Sequence, residues 1–298
     1  MSPEPEKVPV EVEGRQLVLT NLGKVLYPAA GFTKAQVIDY YLRVAPVLLP
    51  HLAGRPLTLK RYPDGVTGEY FYAKHAPDHR PAWVETVRLP SPGSRSRGAS
   101  VRYLLANDLP TLIWTANLAG LELHTPMWRL PHVAEPDLLV FDLDPGAPAT
   151  IVECCAVAQL LRPLLAEEGF EAFAKTSGGK GLQLLAPLQR VGSDEASAIA
   201  RALAERLERE LPRYVVSRMT RSLRPGKVLI DWSQNNAHKT TIAPYSLRAR
   251  SQPTVSTPVT WDEVARCTRR EDLVFTSGQV LDRVASRGDL LAPLVPAG

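Results

Sequence analysis

A chain of 298 residues with 45% hydrophobic content can bury one large core, or two lobes closely packed around a cleft, and is too apolar to be disordered or fibrous. The formal charge of +4 suits many enzymes as well as a nucleic-acid binder, and no stretch approaches the roughly 18 uninterrupted apolar residues of a membrane span. The acidic start MSPEPEKVPVEVEG is unlike a signal peptide, and Cys154, Cys155 and Cys267 fit neither a disulfide framework nor metal-ligand spacing, so a cytosolic protein with buried thiols is expected.

Residues 8–27 alternate, with Val8, Val10 and Val12 and then Leu17 and Leu19, as short strands at a sheet edge would. Thr33 and Gln36 form a capping box ahead of a helix to Leu52, which Pro46 should kink or end. A short strand and a Pro63-Asp64-Gly65 turn lie between Leu57 and Tyr72, and residues 91–99, SPGSRSRGA, read as a flexible loop. A strand at 101–105 precedes a helix capped by Asn107 or Asp108, running through Leu118 and closed by Gly120.

The apolar strand at 137–144 leads to a second capping box, Thr150 with Glu153, and a helix that continues to about Glu168 and stops at Gly169, with Pro163 a kink. Strand, glycine loop and strand occupy 170–188. Ser193 should cap an amphipathic helix with Ile199, Leu203, Leu207 and Leu211 on one face. Strands near 213–218 and 227–232 and short helices near 261–267 and 278–286 finish the chain. The 27 prolines and 19 glycines are spread as turn punctuation, no internal repeat is present, and a single α/β domain with a mixed sheet is expected.

In Leu138-Leu139-Val140-Phe141-Asp142-Leu143-Asp144, alternation points Asp142 and Asp144 the same way, where a hard divalent cation would relieve their repulsion. The alternative is that they begin the Asp-Pro-Gly turn. A haloacid-dehalogenase phosphatase also carries Asp-x-Asp after an apolar strand, but such enzymes continue with Thr or Val where this chain has Pro145-Gly146. Lys175-Thr176-Ser177-Gly178-Gly179-Lys180-Gly181 sets glycine amides and a lysine where a phosphate could approach, without the Walker pattern, or is a plain hairpin loop.

Lys227-Val228-Leu229-Ile230-Asp231 ends another apolar strand in an acid, whose partner is either a shared cation or a nearby arginine. It stands as the single acid among eight basic residues between Arg213 and Arg250. His124 within LELHTPMW and the pair Phe71-Tyr72, close to Lys60, Arg61 and Lys74, are candidates for nucleotide contact and base stacking, or ordinary structural residues.

Taken in order, GKVLYP (23–28), LELHTPMW (121–128), VFDLDPG (140–146), TSGGKGL (176–182), IDWSQN (230–235) and KTTIAPYSLRAR (239–250) resemble the polymerase domain of bacterial DNA end-joining ligases (ligase D), a branch of the archaeo-eukaryotic primase superfamily. The resemblance implies an α/β (α+β) fold in one primase-polymerase domain over 1–298, with two mixed or antiparallel sheets flanked by helices around a central cleft. Its N-terminal lobe would cover about 1–130, packed on a catalytic palm-like lobe of about 131–298. It further implies that Asp142, Asp144 and Asp231 bind two divalent metal ions, manganese favoured and magnesium the alternative. Ser177, Lys180, Arg224, Gln234 and Arg248 would hold the nucleotide, with His124 beside them.

Lys60, Phe71 and Tyr72 would belong to the nucleotide-binding and base-stacking set, and Lys24 and Lys34 would grip a 5′-phosphate on DNA. Where the family's second motif usually ends in histidine this chain has Gln183, which can bond a phosphate or sugar but carries no charge near neutral pH. The activity expected is addition of nucleotides, ribonucleotides preferred, to primer 3′ ends at gaps or breaks in DNA. A weakly catalytic end-bridging module and a primase are the alternatives. Expected partners are gapped or broken DNA, nucleoside triphosphates, Ku and a separate ligase, with no membrane, for a monomer in the bacterial cytoplasm or nucleoid.

Overall fold

The computed structural model describes residues 6–90 and 100–296, so the loop read at 91–99 lies outside the described residues. The fold is mixed α/β with mainly antiparallel sheets, and the chain divides into two compact units. The first takes Met1–Thr125, Tyr245–Thr254 and Thr276–Gly288; the second takes Pro126–Pro244, Val255–Phe275 and Asp289–Gly298.

The first unit opens with β1 (Lys7–Val12) and β2 (Arg15–Thr20), which form a two-stranded sheet of their own instead of the edge of a larger one. After β3 (Val25–Tyr27) and β4 (Phe32–Thr33), α1 (Lys34–Leu52) starts at the expected capping box, with Gln36 Oε1 accepting from the Thr33 amide at 2.8 Å. Pro46 does not end it. The main sheet of this unit runs β9-β5-β8-β7, from β5 (Pro56–Arg61), β7 (Thr86–Pro90), β8 (Ser100–Leu105) and β9 (Gly120–Thr125), with β6 (Phe71–Ala73) also paired to β5. Tyr40, Tyr41, Val44 and Leu48 of α1 are buried, as are Leu57, Leu59, Leu121 and Leu123 of the sheet; α1 also packs on α2 (Leu109–Asn117) and on the helix Ser277–Arg287.

Asp108 caps α2, its Oδ1 accepting from the Thr111 amide at 2.8 Å, whereas Asn107 accepts from the Gly54 amide. The left-handed residue after α2 is Ala119 (φ +56°), not Gly120. Gly120 begins β9 and answers a different need: a Cβ there would stand 2.8 Å from the Thr115 carbonyl oxygen.

The second unit is built on one sheet in the order β13-β14-β10-β12-β11-β16, in which only β13 and β14 are parallel. Its strands are β10 (Leu138–Pro145), β11 (Phe173–Thr176), β12 (Leu182–Pro187), β13 (Val215–Val216), β14 (Val228–Asp231) and β16 (Pro258–Val259), with β15 (Thr241–Ile242) outside this order. The helices are α3 (Ile151–Glu167), α4 (Ser193–Glu210) and α5 (Trp261–Arg266). The Thr150–Glu153 capping box opens α3, and Gly169 (φ +81°) follows its end. Ser193 is not the cap of α4: Gly192 holds that place, and the Ser193 hydroxyl donates to the Ala134 carbonyl at 2.8 Å. The strand expected at 213–218 shrinks to Val215–Val216, and the one expected at 227–232 stops at Asp231, where a 3-10 turn, Trp232–Asn235, begins.

Alternation sorts this sheet into two faces. Leu139, Phe141 and Leu143 of β10, Leu182, Leu184 and Ala186 of β12, and Val228 and Ile230 of β14 pack with α3 and α4 in one core. The intervening residues face the other way, where Leu138, Val140 and Leu185 meet Met127, Leu291 and Leu294. The cysteines are buried thiols, and among the described residues no helix is long and apolar enough to cross a membrane.

Candidate functional site

Asp142 and Asp144 lie on the side of the second unit's sheet away from α3 and α4, because Phe141 and Leu143 occupy the helical side. Asp231 joins them through register. In the β10–β14 ladder Asp142 is directly opposite Asp231, a pairing that holds two Cβ atoms within about 5.5 Å and places two like charges side by side. On its other flank Asp142 faces Gln183 of β12, and Gln183 faces Lys175 of β11. One row of polar side chains, Asp231, Asp142, Gln183 and Lys175, thus crosses four strands on the face away from α3 and α4.

Gln183 Nε2 donates to Asp142 Oδ1 at 3.1 Å, and Lys175 Nζ donates to Gln183 Oε1. Asp231 is held otherwise. Its Oδ1 accepts from the amide (3.0 Å) and hydroxyl of Ser233, its Oδ2 accepts from Gln234 Nε2 at 2.9 Å, and Lys239 Nζ lies 3.9 Å away and donates to the Ser233 hydroxyl. Asn235 fixes this turn by pairing with both backbone groups of Val140, at 2.9 and 2.8 Å. Among the described residues no three His, Cys, Asp or Glu side chains already converge as a metal cluster. The Asp231 carboxylate is turned onto its own 3-10 turn.

The donor chemistry nonetheless fits a hard cation. The three acids offer only oxygen, the class that magnesium, manganese and calcium prefer. Burial, with Asp144 and Asp231 adding negative charge, pushes the Asp142 carboxyl well above the carboxylate range, against the bond from Gln183.

The glycine loop is a hairpin turn between β11 and β12. Its amides are more occupied than a phosphate cradle requires, since Gly178 donates to Thr176 Oγ1 and both Gly179 and Gly181 donate to Ser177 Oγ, at 3.1–3.3 Å. Lys180 Nζ reaches the Pro145 carbonyl at 3.3 Å, next to Asp144 in sequence. Gly181 is required beside the acids, because a Cβ there would stand 2.3 Å from the Leu143 carbonyl oxygen. A guanidinium nitrogen of Arg224 donates to the Met219 carbonyl, while its Nε is buried without a hydrogen-bond partner.

His124, Arg248, Lys60, Phe71, Tyr72, Lys24 and Lys34 belong to the first unit and form two groups there. Tyr72, Lys60 and Glu122 are aligned across β6, β5 and β9, with Lys60 Nζ 3.9 Å from the Tyr70 ring centre and 5.7 Å from that of Tyr72. Phe71 takes the opposite side of β6, beside Arg61 at 5.1 Å, so Phe71 and Tyr72 do not share one stacking surface. Glu122 accepts from His124 Nε2 (3.0 Å), Arg248 Nε (3.2 Å) and the Ala249 amide (3.0 Å). Burial pushes Glu122 up, but the His124 bond and the charge of Arg248 bring it to about 2; burial keeps His124 below its ordinary value despite Glu122.

In the second group the Lys34 amide donates to the Lys24 carbonyl at 2.8 Å, Lys24 Nζ pairs with Asp64 at 2.8 Å, and the buried Lys34 Nζ donates to the Thr20 carbonyl at 2.6 Å. Burial, then Lys24 and Arg61, lower Lys34 to about 8. Sequence reasoning missed Glu122, Lys175, Ser233 and Asn235. Glu122 sits two residues before His124, which on a strand puts both on one face, a signal that was available.

A model of the LigD primase-polymerase domain matches residues 33–291. The multifunctional non-homologous end joining protein LigD of Mycolicibacterium smegmatis is 46% identical over 279 residues, covering 93% of this chain and 36% of that protein. The multifunctional non-homologous end joining DNA repair protein LigD of Mycobacterium tuberculosis is 44% identical over 291 residues, 94% of this chain and 37% of that protein. The chain therefore spans just over a third of the length of these relatives. Among solved structures, the polymerase domain from Mycobacterium tuberculosis ligase D in complex with DNA superposes with a TM-score of 0.87 at 43% identity, covering 93% of this chain and 97% of that one.

The repulsion at Asp142 is measurable without substrate. A carboxyl raised above its unfolded value destabilises the fold only when ionised, so the penalty is absent at acid pH and grows as pH rises toward the raised value. In chelator-treated protein, Asp142→Asn should therefore be more stable than the parent at pH 8 by about 1–2 kcal/mol, allowing for partial exposure, and the gain should shrink toward pH 5. Denaturant melts at the two pH values check it; equal stability at pH 8 would contradict the electrostatic account.

Proposed function

Because the chain belongs to the LigD primase-polymerase domain family, a family of nucleotidyltransferases, we propose that it adds nucleotides to primer 3′ ends at short gaps or breaks in DNA. The preferred substrates are ribonucleoside triphosphates, and Asp142, Asp144 and Asp231 hold two divalent cations, manganese favoured. The observation that carries this reading is the direct pairing of Asp142 with Asp231, with Asp144 on the same face of β10. Buried like charges at that spacing are costly without a cation, and oxygen ligands suit the hard ions that phosphoryl transfer uses. When bound, such ions supply charge neutralisation on the triphosphate and favour the ionised form of the 3′-hydroxyl.

The reaction joins the primer 3′-oxygen to the α-phosphorus and releases pyrophosphate. Lys180, Arg224 and Arg248 would supply positive charge to the triphosphate, and Ser177 and Gln234 hydrogen bonds. Asp231 now accepts from Ser233 and Gln234; to hold a cation it would give up these bonds, and the Gln234 amide would then be available to the nucleotide. His124, held by Glu122 and neutral near pH 7, offers its other ring nitrogen to the nucleotide, and Tyr72 a base-stacking face. Lys24 and Lys34, with Arg61 near, would bind a 5′-phosphate. The relatives are named for end joining; for this chain that pathway, a Ku-like partner and a separate ligase are part of the proposal.

Extension of a primer across a short gap with manganese should fall by more than about a hundredfold in Asp142→Ala, with binding of 5′-phosphorylated DNA unchanged. Undiminished extension would sink the assignment, whereas a parent protein that binds ends but incorporates nothing would favour a bridging module. Since Lys34 titrates at about 8, its charge is present at pH 7 and lost as pH rises through that value. Affinity for gapped DNA bearing a 5′-phosphate should thus weaken several-fold from pH 7 to pH 9, and Lys34→Arg should flatten the dependence. An unchanged slope in Lys34→Arg would remove Lys34 from the phosphate grip.

A further inference from the structure

Lys175 lies on the same polar row as the acids and is 1% exposed, although a buried ammonium is costly unless its hydrogens are accepted. Acceptors meet it: the Gln183 side-chain oxygen, the Ile242 carbonyl at 3.0 Å and the Ser256 hydroxyl at 2.8 Å, which itself donates to the Thr176 carbonyl at 2.9 Å. Lysine only donates, so it dictates which end of the Gln183 amide it faces. With Oε1 committed to Lys175, Nε2 must point along the row toward Asp142, and it meets Oδ1 there at 3.1 Å. The reversed amide would set its hydrogens against the ammonium and its oxygen against the carboxylate, two repulsions in place of two bonds.

We propose that Lys175 and Gln183 are positioning residues for Asp142: the pair locks one carboxylate oxygen, leaving the other to be presented to a divalent cation. This rests on the reading of Asp142 as a cation ligand. The amide carries the lysine's polarity to Asp142 while keeping the ammonium one residue away, so the positive charge does not compete for the carboxylate that the cation needs. Register enforces the order, because Lys175, Gln183 and Asp142 are successive partners on β11, β12 and β10. An imidazole has the same capacity, one ring nitrogen to accept and one to donate. A neutral histidine at position 183 could therefore make the same two bonds.

The test is Mn2+ binding to the full chain without nucleotide, read from the free-ion signal in electron paramagnetic resonance titrations. Partners of a ligating carboxylate typically change metal affinity by 10–100-fold, so Gln183→Leu and Lys175→Met should each weaken binding about tenfold, and the double variant little more than either single one. Gln183→His should stay within about threefold of the parent, and Asp142→Ala should abolish binding. Thermal melts identify variants that have lost the fold; should Lys175→Met be one, Gln183→Leu decides. If folded Gln183→Leu binds Mn2+ like the parent while Asp142→Ala does not, the positioning proposal is overturned and the cation reading stands. If the parent and Asp142→Ala bind alike, both fall.

Discussion

Two carboxylates set directly opposite each other on neighbouring strands govern the second unit. Asp142 and Asp231 repel at a spacing that unfolding would relieve, so other interactions must hold the register against them. The core on the far side does this. Phe141, Leu143, Leu184 and Ile230 are fully buried beneath α3 and α4, and a slip of one residue along β10 would turn Phe141 to the polar face and Asp142 into the core. On the near side Gln183 gives Asp142 one hydrogen bond, and Ser233 and Gln234 satisfy Asp231. The site is thus an electrostatically loaded surface kept in place by apolar packing that the acids themselves do not touch.

The first unit solves a related problem with opposite sign. Glu122 is a single buried carboxylate among cations and donors, with His124, Arg248 and the Ala249 amide all directed at it. Desolvation alone would raise its pKa, yet its partners hold it ionised far below the usual range. One acid therefore orients two of the residues assigned to the nucleotide, and its strand register also brings Lys60 and Tyr72 into line. In each unit a polar row across a sheet carries the candidate chemistry.

Local signals were legible in the sequence. The Thr33–Gln36 and Thr150–Glu153 capping boxes form as read, because a cap depends on residues three apart in the chain. The shared face of Asp142 and Asp144 follows from alternation within one strand. Signals that depend on distant partners were not legible: the pairing of Asp142 with Asp231, the bonds that hold Asp231, and the burial of Lys175 require strand order, which no local pattern contains. Ser193 looks like a cap, but its hydroxyl is drawn to Ala134 from another part of the chain. Gly120 looks like a helix stop, yet its small size serves a close approach to Thr115. Strands such as β7 and β16 are short and held by neighbours more than by their own composition.

The most direct test of the central claim is the anomalous scattering of a crystal of this chain grown with Mn2+ and a nucleoside triphosphate. The account predicts the strongest peak on the face of the second unit's sheet away from α3 and α4, within about 2.6 Å of oxygens from Asp142 and Asp231, with Asp231 released from Ser233. A strongest peak elsewhere, with Asp231 still bonded to Ser233 and Gln234, would contradict it.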